Sequence, residues 1–254
     1  MRKREQQIIE VVHQYGSLTI QELSDMLDTS PSSVRRDLIA LNHNRFVNRV
    51  HGGVSLSTVV NYESRWLHRT TVDLSEARAI ARKAAQLIQN GDVICLSGGV
   101  LCTQLAFQLR LLEGITVVTN AVNIAAEFVY LPGIQVRLTG GRLNPGSFEL
   151  VGRALEPSLQ GVHMGMFFLG TDGLSVQYGV TGHDEAEADA SRILMEHSDQ
   201  TIVLADSSKF KKTSFAQVAP LSSFDTIIST DHVSQSTRDE FVEAGVEVII
   251  SSDH

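Results

Sequence analysis

Residues 30–54 (SPSSVRRDLIALNHNRFVNRVHGGV) constrain the fold more than any other stretch of the chain. Ser30 offers a helix-capping hydroxyl, and Pro31 stands at the first helical position, where its missing N–H costs nothing. Val34, Leu38 and Leu41 recur at helical spacing, so they face a core and leave Ser32, Ser33, Arg36 and, at the edge, Arg35 outward. Residues 46–54 then alternate apolar side chains with Arg49 and His51 and end on Gly52 and Gly53, the pattern of a strand pair. Upstream, Ile8, Val11, Val12 and Tyr15 predict a first helix stopped at Gly16, and Ile20, Leu23 and Leu27 a second one ending at the turn Asp28, Thr29.

Three short helices followed by a basic hairpin make a winged helix-turn-helix, expected over residues 3–58 with the helix-turn-helix at about 20–39. Hydroxyls at the start of the third helix with arginine one turn on suit entry into the DNA major groove. A hairpin carrying Arg49 and His51 suits the phosphate backbone or minor groove. The candidate DNA contacts are Thr19, Ser30, Ser32, Ser33, Arg35, Arg36, Arg49, His51 and Gly52. A solvated helix face in a three-helix unit unrelated to DNA is the alternative, and it leaves the basic hairpin without a purpose.

The chain has 254 residues and a formal net charge of −8, which argues against indiscriminate nucleic-acid binding. The charge is unevenly spread. Residues 1–54 hold seven Lys and Arg against six acids, whereas residues 55–254 hold 14 against 23, so the two parts carry +1 and −9. Phosphate would be repelled by the larger part, and any DNA contact is expected from the N-terminal one. The two cysteines, Cys95 and Cys102, give neither a disulfide framework nor metal-ligand spacing, as suits a reducing cytoplasm. No apolar run approaches the ~20 residues of a membrane span, and Arg2, Lys3 and Arg4 lead into an amphipathic helix rather than a signal-peptide core. A soluble intracellular protein without membrane partners is expected.

Residues 55–75 mix Ser, Thr and charge without periodicity and read as a hinge, with the linker proper at 59–75 and a second domain at 76–254. A helix is expected over 76–89, ending at Asn90 and Gly91. Strand-like runs at 93–96, 115–119, 134–138, 166–169, 201–205, 226–229 and 246–250 then alternate with helical runs at 102–111, 121–130, 184–196 and 238–244. The fold class that follows is α/β: a small N-terminal winged helix-turn-helix, then a larger doubly wound, mostly parallel α/β domain.

In such sheets ligands bind at the carboxyl ends of the strands. The runs here end in Ser97-Gly98-Gly99, Asn120, Thr139-Gly140-Gly141-Arg142, Gly170-Thr171-Asp172-Gly173 and Asp206-Ser207-Ser208-Lys209. Glycine pairs at strand-to-helix turns can cradle an anion on backbone N–H groups, and each alone reads equally well as a tight turn. Arg142 and Lys209 could neutralise a phosphate, while Asp172 and Glu185 could bind hydroxyls. The candidate effector site is therefore Ser97, Gly98, Gly99, Asn120, Gly140, Gly141, Arg142, Asp172, Glu185 and Lys209, suited to a small polyol phosphate.

Both halves resemble one family. Thr19-Ile20-Gln21-Glu22-Leu23, Ser33-Val34-Arg35-Arg36-Asp37-Leu38 and Arg49-Val50-His51-Gly52-Gly53-Val54 are similar to the DNA-binding domain of the DeoR family of bacterial transcriptional regulators. Thr116-Val117-Val118-Thr119-Asn120, Asn123-Ile124-Ala125, Thr139-Gly140-Gly141, Glu149-Leu150-Val151-Gly152, Gly170-Thr171-Asp172-Gly173, Glu185-Ala186-Glu187 and Ala205-Asp206-Ser207-Ser208-Lys209-Phe210 resemble its effector domain, which is related to ribose-5-phosphate isomerase. The resemblance implies a repressor of carbohydrate-metabolism genes controlled by a phosphorylated, sugar-derived effector, with no cofactor, metal or catalytic residue. A double-stranded operator and homodimer or homotetramer assembly complete that expectation.

Three positions depart from the family pattern. Arg45 replaces a small residue before the wing, Val100-Leu101-Cys102 replaces two or three threonines after the glycine turn, and Asp189 stands where a basic or amide residue is usual. The second change removes hydroxyl donors worth about 1 kcal/mol each to a phosphate, and the third adds a repelling charge. At a helix N-terminus Cys102 could be a reactive thiol, although a small core cysteine suits it better. An isomerase-like enzyme using Glu185 or Asp172 with Lys209 is the competing reading from another class, and a domain that only oligomerises is a third.

Overall fold

The computed structural model describes residues 4–5, 7–8, 11–12, 17–43, 47–50, 53–56, 73–110 and 112–251. Tyr15, Gly16, Arg45, His51, Gly52 and the linker at 59–72 lie outside the described residues, as do the side chains of residues 48–50. The chain divides into two compact units, Met1–Thr71 and Val72–His254.

In the first unit the helix Ile20–Met26 is followed by the helix Pro31–His43. Strands β1 (Ser17–Thr19), β2 (Val47–Val50) and β3 (Gly53–Leu56) form an antiparallel sheet in the order β1-β3-β2. Ile8, Val12, Leu23, Val34, Leu38, Leu41, Val47 and Val54 are fully buried together, so the helical and strand periodicities converge on one small core. Strand β1 is absent from the sequence reading. Three residues cannot show alternation, and the strand exists because Leu18 pairs with Val54 across the wing. A side chain at Gly53 would meet the Leu18 carbonyl oxygen at 2.3 Å, which explains this glycine by close approach to β1.

The second unit contains twelve strands among the described residues. They are β4 (Val93–Leu96), β5 (Ile115–Thr119), β6 (Ile134–Leu138), β7 (Arg142–Leu143), β8 (Leu150–Val151), β9 (Met164–Gly170), β10 (Gly173–Ser175), β11 (Gly179–Gly182), β12 (Ser198–Leu204), β13 (Ala216–Ala219), β14 (Thr226–Thr230) and β15 (Glu247–Ser251). Seven of them build one sheet in the order β15-β14-β12-β9-β4-β5-β6, and every neighbouring pair is parallel. Their apolar runs are continuous rather than alternating because both faces are covered. Adjacent Phe167 and Phe168, and Ile94, Cys95 and Leu96 in a row, are all fully buried. Helices Leu74–Ala85, Val100–Leu109 and Val122–Phe128 pack against one another in succession. Helix Glu185–Glu196 contributes Ala188, Ala190 and Leu194 to the core that holds Cys95, Val118, Phe167 and Val203.

The chain runs from β4 outward to β6, then returns to the other side of β4 at β9 and runs outward to β15. The reversal between β4 and β9 is the topological switch point, the place where open α/β sheets bind ligands beyond their strand ends. Two small antiparallel sheets, β7-β8 and β10-β11-β13, flank that region and were not foreseen. Their strands are only two to four residues long, and β11 meets β13 from far along the chain, so no local period announces them.

Helix Leu74–Ala85 begins two residues before the expected 76 because Asp73 caps it, accepting the Ser75 N–H at 2.8 Å. Its last turn tightens, with the Leu87 N–H donating to Ala84 and the Ile88 N–H to Ala85, before Gly91 turns the chain at φ +95°. In its first turn Glu76 is buried and accepts the Ser207 N–H (2.7 Å), the Ser207 hydroxyl (3.2 Å) and the Thr230 hydroxyl (2.5 Å). One carboxylate thus fastens the helix that follows the linker to the ends of β12 and β14. Hydrogen bonds to a buried charged group contribute about 1.5–3 kcal/mol, and removing the acceptor strands its donors. Glu76→Ala is expected to lower the unfolding free energy of this unit by about 3 kcal/mol in urea denaturation. Glu76→Gln, which keeps one acceptor oxygen, is expected to lose less.

Candidate functional site

Two sets of residues remain once the cores are accounted for. The first is the exposed face of the helix Pro31–His43. Ser30 accepts the Ser33 N–H on its hydroxyl (3.3 Å) and the Val34 N–H on its carbonyl (3.1 Å), which sets the helix start. The Ser30, Ser32 and Ser33 hydroxyls are bonded to one another at 2.9 and 3.0 Å, a cluster of donors at the helix N-terminus. Arg35 and Arg36 are exposed and make no ion pair among the described residues, while the adjacent Asp37 is buried and meets Arg4 Nε at 2.5 Å. This inward carboxylate ties the third helix to the first and leaves the two arginines facing solvent. Its partner lies 33 residues upstream, so only the fold reveals the pairing.

Ile39, also exposed, follows Arg35 and Arg36 by one turn on the same side, and the sequence reading did not single it out. An apolar side chain there is the chemistry that meets a thymine methyl group. Thr19 has a defined local duty. Its hydroxyl accepts the Glu22 N–H (3.1 Å), and its own N–H donates to the Glu22 carboxylate (2.7 Å), a reciprocal cap on the helix Ile20–Met26. The Arg49 side chain, His51 and Gly52 fall outside the described residues.

The second set lies at the switch point. Ser97, Gly98 and Gly99 follow β4, and Gly99 adopts φ +100° as the residue before the helix Val100–Leu109. Only glycine takes that backbone readily. The Ser97 hydroxyl accepts the Gly170 N–H at 3.1 Å and so links the ends of β4 and β9. Opposite the turn stands Glu149, a residue quoted for its sequence motif but not nominated for the site. Its carboxylate is buried, accepting the Gly98 N–H at 3.1 Å and the Asn120 Nδ2 at 2.9 Å. Backbone bonds from Leu150 N to Asn120 O and from Val122 N to Phe148 O hold this segment against the end of β5.

Burial, then the nearby charges of Glu187 and Asp172, push the Glu149 carboxyl up to about 7, against the hydrogen bonds from Asn120 and Gly98. Glu187 is itself shifted upward, by burial and by the charges of Asp184 and Asp172, and accepts the Asn144 Nδ2 at 2.7 Å. Asp172 accepts the His183 N–H at 3.1 Å.

Of the ten expected effector residues, Ser97, Gly98, Asn120 and Asp172 are drawn into this constellation, and Gly99 forms its turn. Gly140 is needed for a different reason: its N–H donates to the Ser158 hydroxyl at 2.9 Å, and a Cβ would meet the Ala154 carbonyl oxygen at 2.4 Å. Gly141, at φ +144°, lies against the backbone of Leu150 and Val151. Arg142 is exposed on β7. Lys209 has Asp206 as its neighbour at 4.0 Å. Glu185 is exposed, and Glu187, two residues on and across the helix, faces the carboxylates instead. Arg142, Glu185 and Lys209 therefore stand outside this hydrogen-bonded network of described residues.

Two further readings are resolved. Asp189 is exposed and ion-paired with Arg192, so its charge is answered on the surface. Cys102 is a core cysteine: burial pushes its thiol up to about 12, and its Sγ meets the Phe168 carbonyl oxygen at 3.4 Å. Among the described residues no group of His, Cys, Asp and Glu could hold a metal ion, and no helix is long and apolar enough to cross a membrane.

Comparison with known proteins matches both units. Residues 4–59 match the model of the DeoR-like helix-turn-helix domain, and residues 73–232 that of the DeoR C terminal sensor domain. A putative aga operon transcriptional repressor from Escherichia coli O157:H7 is 31% identical over 250 residues, covering 98% of this chain and 93% of the relative. The HTH-type transcriptional repressor GlcR of Bacillus subtilis is 30% identical over 244 residues, covering 96% and 94%. Among solved structures, a D-ribose-5-phosphate isomerase in complex with phospho-erythronic acid overlays loosely, with a TM-score of 0.42 and 16% identity over 56% of this chain and 55% of that one.

The environment of Glu149 makes stability depend on pH. Its ordinary value is 4.5 and its folded value about 7, so between these the unfolded chain has released a proton that the folded chain still holds. The contribution favouring the fold is full below about pH 4.5 and is lost as pH rises through 7. Relative to Glu149→Gln, the parent is expected to lose on the order of 3 kcal/mol of unfolding free energy between pH 4.5 and pH 8. Paired urea titrations at the two pH values measure it.

Proposed function

The chain belongs to the DeoR family of helix-turn-helix transcriptional regulators, and from that premise we propose that it represses carbohydrate-metabolism genes under control of a phosphorylated, sugar-derived effector. The observation that carries the DNA-binding half is the split within Val34-Arg35-Arg36-Asp37-Leu38. The apolar pair and the aspartate are buried, and the two arginines stand exposed behind a cluster of serine hydroxyls. An arginine fork can bond a guanine edge with two donors, and serines at a helix start reach neighbouring base edges or phosphates. One such module reads a half-site, so the operator is expected to be two-fold and the protein a homodimer or homotetramer working in the bacterial cytoplasm at the nucleoid.

The effector half rests on the polar strand ends that converge at the switch point. Hydroxyl-rich ligands suit a site built of Asn120, Glu149 and Asp172, which presents hydrogen-bond acceptors at the strand ends. Effector binding changes DNA affinity only if the ligand prefers one arrangement of the two units, and the segment before Asp73 that joins them is the hinge proposed to carry that preference.

Mapping the chromosomal binding sites identifies the operator and, through the neighbouring genes, the sugars to try. On that operator, Arg36→Ala is expected to weaken binding by about 1–3 kcal/mol and to relax the choice at one base pair. Arg49→Ala is expected to weaken all sequences alike and to lower the salt slope by about one. Unchanged operator affinity in Arg36→Ala removes that residue from recognition. Operator affinity indifferent to every sugar phosphate of the pathway so identified overturns the effector reading.

A further inference from the structure

The glycine turn after β4 has the form of an anion cradle, but its first donor is already in use. The Gly98 N–H points at Glu149 Oε1, 3.1 Å away, and a Cβ on Gly98 would lie 2.3 Å from the same oxygen. Gly98 is therefore required by Glu149, whose carboxylate fills the space where a ligand's phosphate would sit on this N–H. The hydroxyls that could replace the lost donor are missing as well, since Val100, Leu101 and Cys102 are buried apolar residues.

What surrounds the turn is a set of acceptors. Each Glu149 oxygen has one bond, from Gly98 or Asn120, and retains capacity for another. Asn120 is 1% exposed, its Nδ2 is committed to Glu149, and its Oδ1 has no hydrogen-bond partner. A buried carbonyl oxygen left without a donor costs about 1–3 kcal/mol, which a ligand donor can recover. Glu187 and Asp172 add negative potential from helix Glu185–Glu196 and the end of β9.

We propose that Glu149 is the specificity-determining residue of the effector site: it excludes an anionic group from the Gly98 turn and requires a hydroxyl-bearing portion of the effector there. The inference rests on the switch-point crevice being the effector site. It adds that the unphosphorylated end of the effector, carrying neighbouring hydroxyls, lies against Glu149 and Asn120 Oδ1. The bond it breaks with water is replaced by O–H donation to the carboxylate, and the phosphate is directed away from Gly98.

The test is isothermal calorimetry on the full chain with matched probes, C4 to C6 polyol phosphates against the aldonic acid phosphates of the same length. Both carry the same phosphate, and they differ in placing a hydroxyl or a carboxylate at the other end. At pH 8 the parent is expected to prefer a polyol phosphate by at least tenfold, and Glu149→Gln to narrow that preference to under threefold. Should Glu149→Gln fail to fold, the parent itself provides the second arm. Lowering the pH from 8 to 6 protonates Glu149 and should narrow the preference likewise, because the phosphate titrates equally in both probes.

The other ionisable groups around Glu149 are Glu187, Asp172, Cys95 and Cys102, with Asp184 beside Glu187 and His183 beside Asp172. His183 stands beside Asp172, so His183→Gln serves as the control and should keep the pH effect. A parent preference that survives Glu149→Gln, or the low pH, makes Glu149 a structural tether and overturns the proposal. Binding of both probes alike by the parent overturns it too, while silence of every probe overturns the effector reading on which it rests.

Discussion

A seven-stranded parallel sheet covered on both faces fills its central strands with apolar side chains and spends the few polar ones, such as Thr119 and Thr230, on internal hydrogen bonds; the rest of the sensor unit follows from that constraint. Ile94, Cys95, Leu96, Phe167 and Phe168 carry nothing that a ligand could bond, so chemistry is confined to the residues just past the strand ends. The order of the strands then decides which ends matter. Only between β4 and β9 does the chain reverse its direction of travel across the sheet, and only there do two neighbouring connections leave on opposite sides. Ser97, Gly98, Asn120, Glu149 and Asp172 gather at that point although they span 76 positions of sequence.

Three buried carboxylates fix the elements that function needs. Asp37 with Arg4 sets the orientation of the helix that displays Arg35 and Arg36. Glu76 joins the first helix of the sensor unit to the ends of β12 and β14. Glu149 joins the glycine turn to the end of β5. A buried charge is tolerated only where donors surround it, so each of these positions resists drift in its neighbours. They differ in what they leave available. Glu76 is saturated by three donors, whereas Glu149 has one donor per oxygen and stands beside an unpartnered Asn120 Oδ1.

Much of this was legible in the sequence, and the boundary of legibility is physical. Residues 93–96 and 115–119 match the expected strands to the residue because a buried parallel strand is a short apolar run bounded by turn residues, and 134–138 matches because an edge strand alternates Ile, Val and Leu with Gln and Arg. Val34, Leu38 and Leu41 were assigned to the core from their spacing alone, with the outward position of Arg36 following from the same count. Helix starts were less visible. Val100–Leu109 begins two residues before the expected 102 because Gly99, at φ +100°, ends the turn rather than opening the helix. Glu149 was invisible as a site residue, since its partners lie 51 and 29 positions away and no local pattern marks the pairing. Glu187 and Glu185 lie on different faces of their helix. Asp184 caps the helix by accepting the Ala186 N–H at 2.8 Å, and from that start the buried Ala188 and Ser191 place Glu187 nearer the inner face than Glu185.

The substitutions around the glycine turn make sense only together. Taken singly, Val100, Leu101 and Cys102 in place of threonines look like a loss of phosphate affinity. The Glu149 carboxylate is already seated on the Gly98 N–H of the same turn. Apolar side chains instead complete the packing under the turn, and Cys102 bonds Ser97 and Phe168 without offering charge. Asp189, which seemed to add repulsion to the pocket, is spent on Arg192 at the surface, so the negative potential of the crevice comes from Glu149, Glu187 and Asp172. For the phosphorylated, hydroxyl-rich effector proposed above, such an arrangement would place selectivity in the ligand's hydroxyl donors rather than in its anion.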